Sequence, residues 1–122
     1  MIRQAVLSAA ILSAAAAADA AAADPGRGKE LYESRCGGCH SLDANRVGPA
    51  HRGVYGRKAG TAPNFNYSAA VRNSGVVWEG KTLDAWLTDP QRLIPGQRMN
   101  FRISAAEDRT DIIAYLRQQS GR

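Results

Sequence analysis

The chain alternates short segments whose apolar residues follow a helical spacing with longer segments that are polar and rich in glycine and proline. The first helical spacing predicts a helix over residues 25–34. Asp24 suits its N-cap, and Pro25 suits the first helical position, where a missing N–H costs nothing. Leu31 and Tyr32 share one face with Gly28, so we expect this face to be buried while the intervening charged residues stay in water.

Three further short helices are predicted, each starting at a residue type that caps helix N-termini. The candidate caps are Ser68, Thr82 and Ser104. The helix after Ser68 should end near residue 73, before Gly75, and the helix after Thr82 should stop at Asp89-Pro90. Glu107 follows Ser104 at the spacing of a capping box. The apolar residues expected to pack inside are Leu83, Trp86, Leu87, Ile112, Ile113, Tyr115 and Leu116.

Residues 41–63 have neither a period of two nor one of 3.6, and glycine recurs among them, which predicts a long loop. Because no convincing strand pair or internal repeat is visible, the predicted fold class is all-α. Loops of this length are uncommon in compact domains, and four short helices bury little apolar surface. A large buried cofactor, wrapped by the loop, would account for both features.

The first 23 residues have the pattern of a cleaved secretory signal peptide. Arg3 precedes an apolar run over residues 5–18, and small residues suited to cleavage after Ala20 or Ala23 follow. The run is shorter than the ~20 residues that span a bilayer. We therefore predict one domain over residues 24–122, exported to the periplasm and without stable membrane insertion.

The chain is basic, with 16 Lys and Arg residues against 11 Asp and Glu, and cleavage would leave its net charge of +5 unchanged. Such a field favours encounter with acidic protein surfaces, anionic membranes or nucleic acid. Export argues against nucleic acid. The alternative is that the charge only keeps the protein in solution.

The chain has two cysteines, Cys36 and Cys39, and the next residue is His40, which completes the motif C-x-x-C-H. This is the spacing of c-type haem attachment. Two thiols on one tight turn can add to two vinyl groups on one porphyrin edge, and the histidine then reaches the iron. The alternatives are weaker. A disulfide closing so small a loop would remove little chain entropy, a redox pair would need a thioredoxin-like setting, and zinc would need further ligands where only His51 remains.

Met99 is the one methionine outside the predicted signal peptide, and it ends a Pro/Gly segment over residues 94–99. Such a segment can return over the opposite face of a haem, which makes Met99 a candidate for the sixth iron ligand. The alternative is a methionine that fills a gap in the core.

Further motifs occur along the chain in a fixed order. They are C-G-G-C-H, Val47-Gly48-Pro49, Gly53-Val54-Tyr55-Gly56-Arg57-Lys58, Gly60, Ala62-Pro63, Phe65, Tyr67, Trp78, Thr82-Leu83, Pro90, Ile94-Pro95-Gly96, Met99 and Ile112-Ile113-Ala114-Tyr115-Leu116. Together they resemble class I cytochrome c, most closely the mitochondrial type and the small soluble bacterial cytochromes related to it. The resemblance covers nearly all of residues 24–122. It implies the cytochrome c fold, in which the first and last helices cross at Gly28, Tyr32, Ile112 and Tyr115.

The resemblance also implies a set of site residues. Cys36 and Cys39 would form the thioethers of one haem c, and His40 and Met99 would be its axial ligands. The Pro49 carbonyl would accept the second ring N–H of His40 and fix its orientation. The residues expected to hydrogen-bond a buried haem propionate are Arg57, Tyr67 and Trp78. For the tyrosine and the tryptophan, the alternative is an ordinary core aromatic.

Four positions depart from the family pattern. Trp86 stands where the mitochondrial type usually has a tyrosine near the ligand sulfur, Gln97 replaces a threonine, and Val71 replaces an asparagine of a buried water network. These changes predict a redox potential and a loop stability different from those of mitochondrial relatives. His51 falls where a leucine against the haem is usual. It is a support for the ligand, a substitute ligand or an imidazole that faces solvent.

A haem with both axial positions filled by protein has no open site for a substrate, so we predict a monomeric one-electron carrier and no enzyme. The predicted partners are acidic surfaces of redox proteins, namely an oxidase, a cytochrome bc complex, a reaction centre or a dehydrogenase. Candidates for a basic ring around the haem edge are Arg35, Lys81, Arg92 and Arg98. The alternative function is a peroxidase-like or gas-binding cytochrome in which Met99 dissociates. A structural or assembly role has no sequence feature behind it.

Overall fold

The computed structural model describes Ala10 and residues 22–122, so nearly all of the predicted signal peptide lies outside the described residues. The helices are α1 (Pro25–Arg35), α2 (Ala69–Arg72), α3 (Gly80–Thr88), α4 (Pro90–Leu93) and α5 (Ala106–Gln118). Extended pairing in the described ranges is limited to one antiparallel bridge between Lys58 and Val77. The predicted all-α class is confirmed. None of the helices in the described part of the chain combines the length and the apolar character that a bilayer crossing requires.

Helices α1 and α5 form the main helix pair, and a glycine lets their backbones approach closely. A Cβ added at Gly28 would lie 1.9 Å from the Asp111 carbonyl oxygen, a distance no side chain tolerates. Beside it, the rings of Tyr32 and Tyr115 pack at 5.4 Å between centroids. The expected crossing of the first and last helices is therefore present.

The same pair is also held by charged residues that the helical pattern did not predict. Asp108 and Asp111 are buried on α5, and the Arg27 guanidinium of α1 donates to both carboxylates. The Asp24 backbone N–H donates to Asp111 at 2.8 Å. These bonds hold the pKa of Asp111 below its ordinary value, the Asp24 hydrogen bond contributing most.

The N-termini of α1 and α2 follow the prediction, because the side chains of Asp24 and Ser68 accept hydrogen bonds from the backbone N–H groups of Arg27 and Val71. Helix α4 was not predicted. It starts at Pro90 with the Asp89 side chain as its cap, so the proline that ends α3 also opens a new turn.

Two predicted caps are wrong. Helix α3 starts earlier than expected, with Glu79 at the N-cap, and Thr82 lies at the third helical position, where its hydroxyl accepts from the Glu79 N–H at 2.9 Å. In α5 the N-cap is Ala105, which makes no side-chain bond, so Ser104 and Glu107 form no capping box.

The loop predicted over residues 41–63 is present and lies beside the core. Its turns use glycines at positive φ, among them Gly53 and Gly56. Backbone bonds tie it to the segment before α3, including Gly56 N–H to the Trp78 carbonyl at 2.6 Å. The loop contributes Val54 and Ala59 to the buried apolar core, whose members are Tyr32, Val54, Ala59, Trp78, Leu83, Leu87, Ile94, Ile103, Ile112, Tyr115 and Leu116.

Candidate functional site

A cavity of about 740 Å³ lies between the loop, the helices and the segment around Met99. Its volume is within the range of roughly 300–1,000 Å³ that is typical of ligand sites. All nine residues predicted for the site line it, namely Cys36, Cys39, His40, Pro49, Arg57, Tyr67, Trp78, Trp86 and Met99. The structure therefore brings together residues that are up to 63 positions apart in the chain.

The C-x-x-C-H motif forms a tight turn directly after α1. Cys36 is the C-cap of the helix, and the N–H groups of Cys39 and His40 both donate to its carbonyl. Both thiols are free. Burial raises the pKa of the Cys36 thiol to about 11, whereas Cys39 is exposed. In the described part of the chain, no cluster of three His, Cys, Asp or Glu side chains could hold a metal ion.

The His40 imidazole is buried and held in one orientation. Its Nδ1 lies 2.9 Å from the Pro49 carbonyl oxygen, and because a carbonyl only accepts, Nδ1 carries the proton and Nε2 keeps a free lone pair. Burial lowers the pKa of His40, opposed in part by this hydrogen bond. The ring is therefore neutral at physiological pH and can offer Nε2 to a metal.

Arg46, which sequence reasoning missed, ties the attachment turn to the following loop. Its guanidinium donates to the carbonyls of Gly37, Gly38 and His40. Three backbone carbonyls around one guanidinium fix the shape of the turn that carries both thiols. In the sequence, Arg46 is visible only as an arginine shortly after the motif. Composition alone cannot distinguish such an arginine from an ordinary surface charge.

Arg57 and Tyr67 form a polar side of the cavity, whose lining is mostly apolar. Arg57 is half-buried and donates to the carbonyls of Ala50 and Arg52, and no carboxylate in the described ranges pairs with it. Burial lowers its pKa. The Tyr67 hydroxyl accepts from the Ala62 N–H at 3.0 Å and keeps its own proton available. A half-buried cation beside a hydroxyl donor suits an anionic group such as a carboxylate.

Large side chains line the cavity near Met99, and the same segment of chain carries one buried amide. Trp86 packs against Trp78 at 5.2 Å between ring centroids. The Gln97 side chain is buried and donates to Gln91 and Asn100, while its Oε1 has no partner in the described residues. Phe101, which was not predicted, also lines the cavity with 44% of its surface exposed. An aromatic residue two positions after Met99 was its only signal.

His51 lies against the His40 ring, a position that differs from the expectation of an imidazole facing solvent. The two rings stack at 4.0 Å between centroids with planes 20° apart. The Tyr32 hydroxyl is 2.9 Å from His51 Nδ1. Burial, followed by the proximity of the His40 ring and of the Arg57 guanidinium, lowers the pKa of His51 well below its ordinary value. The ring is neutral and enclosed rather than directed to solvent.

The chemistry of the lining fits a haem. Two free thiols on one turn, an imidazole with an available Nε2 and a thioether all border one large apolar cavity. The half-buried Arg57 and the Tyr67 hydroxyl supply donors for carboxylates at its polar side.

Comparison with known proteins gives the same result. The family model for cytochrome c matches residues 26–120. The cytochrome c of Euglena viridis is 49% identical over 94 residues, which are 75% of this chain and 92% of that protein. Cytochrome c 2.1 of Caenorhabditis elegans is 42% identical over 99 residues, 79% of this chain and 89% of that protein. The solved structure of cytochrome cH from Methylobacterium extorquens superposes with a TM-score of 0.75 at 38% identity, covering 78% of this chain and 98% of that one. This chain belongs to the cytochrome c family and is a haem c protein that carries electrons.

Proposed function

We propose that the chain is a one-electron carrier whose haem iron is ligated by His40 and Met99. The observation that carries the proposal is that both side chains line the same cavity as the two cysteine thiols. When bound, the haem supplies an iron that gains and loses a single electron.

The surrounding residues would hold the ligands in place and adjust their chemistry. The Pro49 carbonyl accepts the Nδ1 proton of His40, which keeps Nε2 available and makes the ring more basic. The Met99 thioether would favour the reduced iron and raise its reduction potential. If His40 and Met99 both bound the iron, no coordination site would remain for a substrate or oxygen.

Arg57, Tyr67 and Trp78 would hydrogen-bond one buried haem propionate. The Arg57 guanidinium has no acidic partner in the described ranges, so a propionate would supply the countercharge that burial requires. The Tyr67 hydroxyl is already positioned by the Ala62 N–H, and its proton remains to be donated.

Acidic redox proteins are the proposed partners. Of the four candidates for a basic ring, Arg35 and Arg98 line the cavity, whereas Lys81 and Arg92 do not. Arg35 also donates to Asp108 at 3.4 Å, which partly neutralises it. We place Arg98 at the centre of the electrostatic attraction and expect the encounter rate to fall as salt rises. Export to the periplasm and action as a monomer are part of the same proposal.

The ligation is tested by removing Met99. We expect wild-type protein, expressed with haem-attachment machinery, to be low-spin in both oxidation states and to bind little carbon monoxide when reduced. Met99→Ala should bind carbon monoxide stoichiometrically and have a lower reduction potential, because the thioether that favours the ferrous state is gone.

Phe101→Leu is the matched control, since it alters another cavity-lining side chain of the same segment without removing a sulfur. It should keep the wild-type spectrum. If the wild-type protein bound carbon monoxide as fully as Met99→Ala, Met99 would not be a stable ligand of the iron. A gas-binding or peroxidase-like function would then replace the proposed electron-carrier function. Intact mass in the same experiment reports haem attachment and the cleavage position.

A further inference from the structure

We propose that His51 and Tyr32 are positioning residues that fix the rotation of the His40 imidazole. This inference rests on the proposed function, because it concerns the ring that would ligate the iron. A leucine, which the family usually has in place of His51, has neither a flat face for stacking nor an atom that can bond to a hydroxyl.

The hydrogen bond to Pro49 does not by itself fix the plane of His40. A single bond at Nδ1 leaves the ring able to turn about the line joining that nitrogen to the carbonyl oxygen. The two faces of the ring must therefore be held by contacts. Gly48 approaches it so closely that an added Cβ would be 2.0 Å from Cε1, and His51 stacks on it with planes only 20° apart.

His51 is itself held at both its backbone and its side chain. Its backbone N–H donates to the Ser41 carbonyl at 3.0 Å, directly after the attachment turn. Its Nδ1 is 2.9 Å from the Tyr32 hydroxyl, and Tyr32 is 4% exposed. The Tyr32 ring also packs against Tyr115 of α5. A chain of contacts thus runs from the crossing of α1 and α5, through Tyr32 and His51, to the face of His40.

The test uses haem-loaded His51→Leu and Tyr32→Phe. The leucine removes the stacked ring but keeps an apolar side chain, and the phenylalanine removes only the hydroxyl. The first readout is the pattern of haem methyl shifts in the NMR spectrum of the ferric protein, which follows the plane of the axial imidazole. The second is the exchange of the His40 ring N–H with deuterium. Ile103→Val is the control, because Ile103 is buried but does not line the cavity.

We expect the haem methyl shift pattern to change in both variants. Deuterium exchange of the His40 ring N–H should become roughly fivefold faster or more, which is the equilibrium factor that corresponds to the free energy of one ordinary hydrogen bond. Ile103→Val should lower the melting temperature and leave both readouts unchanged. The proposal is overturned if both variants behave like the control, or if only His51→Leu changes, since the contact chain requires the Tyr32 hydroxyl. The wild-type spectrum separately reports whether His40 and Met99 ligate the iron, so a failure of the proposed function is recognised before the variants are compared.

Discussion

Gly48 lies so close to the His40 ring that it has no room for a side chain. Its Cα lies against the His40 ring, and a Cβ there would overlap Cε1, Nε2 and Nδ1. Gly48→Ala should therefore displace the imidazole from Pro49 and cost about 1–3 kcal/mol of unfolding free energy, as overpacking usually does. The expected result in haem-loaded protein is partial loss of the low-spin spectrum together with a lower melting temperature.

Gly38→Ala gives the matched comparison in the same region, because nothing lies within 4 Å of a Cβ added there. It should retain the wild-type spectrum. Equal behaviour of the two alanine variants would show that the close approach of Gly48 does not constrain His40.

The C-x-x-C-H motif is predictable from local spacing alone. Met99 is predictable as the one methionine outside the predicted signal peptide, whereas the roles of Pro49, Arg57 and Tyr67 come only from the family resemblance. All of these residues line the cavity. The stacking of His51 on His40 is not predictable from the sequence, because it depends on how the loop folds back over a residue eleven positions earlier. Nothing in the residue type shows whether a histidine faces solvent or another ring.

At the scale of elements, the crossing of α1 and α5 depends on Gly28. Gly28→Ala should lower the free energy of unfolding by about 3 kcal/mol, because the clash at 1.9 Å is with the Asp111 backbone, which cannot move as a side chain can. Chemical denaturation of the haem-loaded protein measures this loss.

Gly26→Ala is the control in the same helix. Its Cβ would approach only the Asp24 side chain, at 3.2 Å. Alanine has the higher helix propensity, so we expect a stability within about 1 kcal/mol of wild type. Comparable losses in the two variants would contradict a specific role for the close approach at Gly28.

The start of a helix is predictable from the sequence where the N-cap side chain bonds to N–H groups only a few residues further along the chain. Asp24 and Ser68 were found because their side chains bond to N–H groups of the helices they precede. Thr82 has the same bonding chemistry but accepts from a residue before it, so the sequence could not fix which end of the capping box it occupies. Helix α4 is not predictable from Pro90 alone, because the proline that ends α3 is also the first residue of α4.

For the whole molecule, the ion pairs between α1 and α5 predict a dependence of stability on pH. The pKa of Asp111 is lowered in the folded protein, from an ordinary value of 3.8. Its stabilising contribution is therefore complete above that value and is lost as the pH falls through the folded pKa. Asp111→Asn should lower the free energy of unfolding by about 1 kcal/mol at neutral pH. The difference from wild type should become smaller at acid pH, because the Asp111 carboxylate of the wild-type protein is then protonated.

Urea denaturation of both proteins over a pH series measures this difference. Asp43→Asn is the control, since the pKa of Asp43 is also lowered by an arginine, Arg52, but its side chain is 70% exposed. Its effect should be smaller because solvent screens the pair. A difference between wild type and Asp111→Asn that persists unchanged at acid pH would contradict the assignment to the carboxylate.

The all-α class and the long loop beside a cavity were predictable, because glycine recurrence and a shortage of apolar surface are properties of the whole chain. The buried positions of Asp108 and Asp111 were not. An aspartate in an amphipathic pattern is normally placed in water. Burial of these two becomes favourable because Arg27, Arg35 and the Asp24 N–H approach them from the other end of the chain.

The backbone nitrogen of Asp24 donates a hydrogen bond to Asp111. The position at which the predicted signal peptide is cleaved can therefore change the charge next to this buried carboxylate. Proteolysis directly after Ala23 would turn that nitrogen from a peptide amide into a free ammonium group, 2.8 Å from a carboxylate oxygen. Proteolysis after Ala20 would leave it neutral. A shift of three residues in the processing site would therefore decide whether the mature N-terminus adds a further cation beside Asp108 and Asp111, which already pair with Arg27 and Arg35.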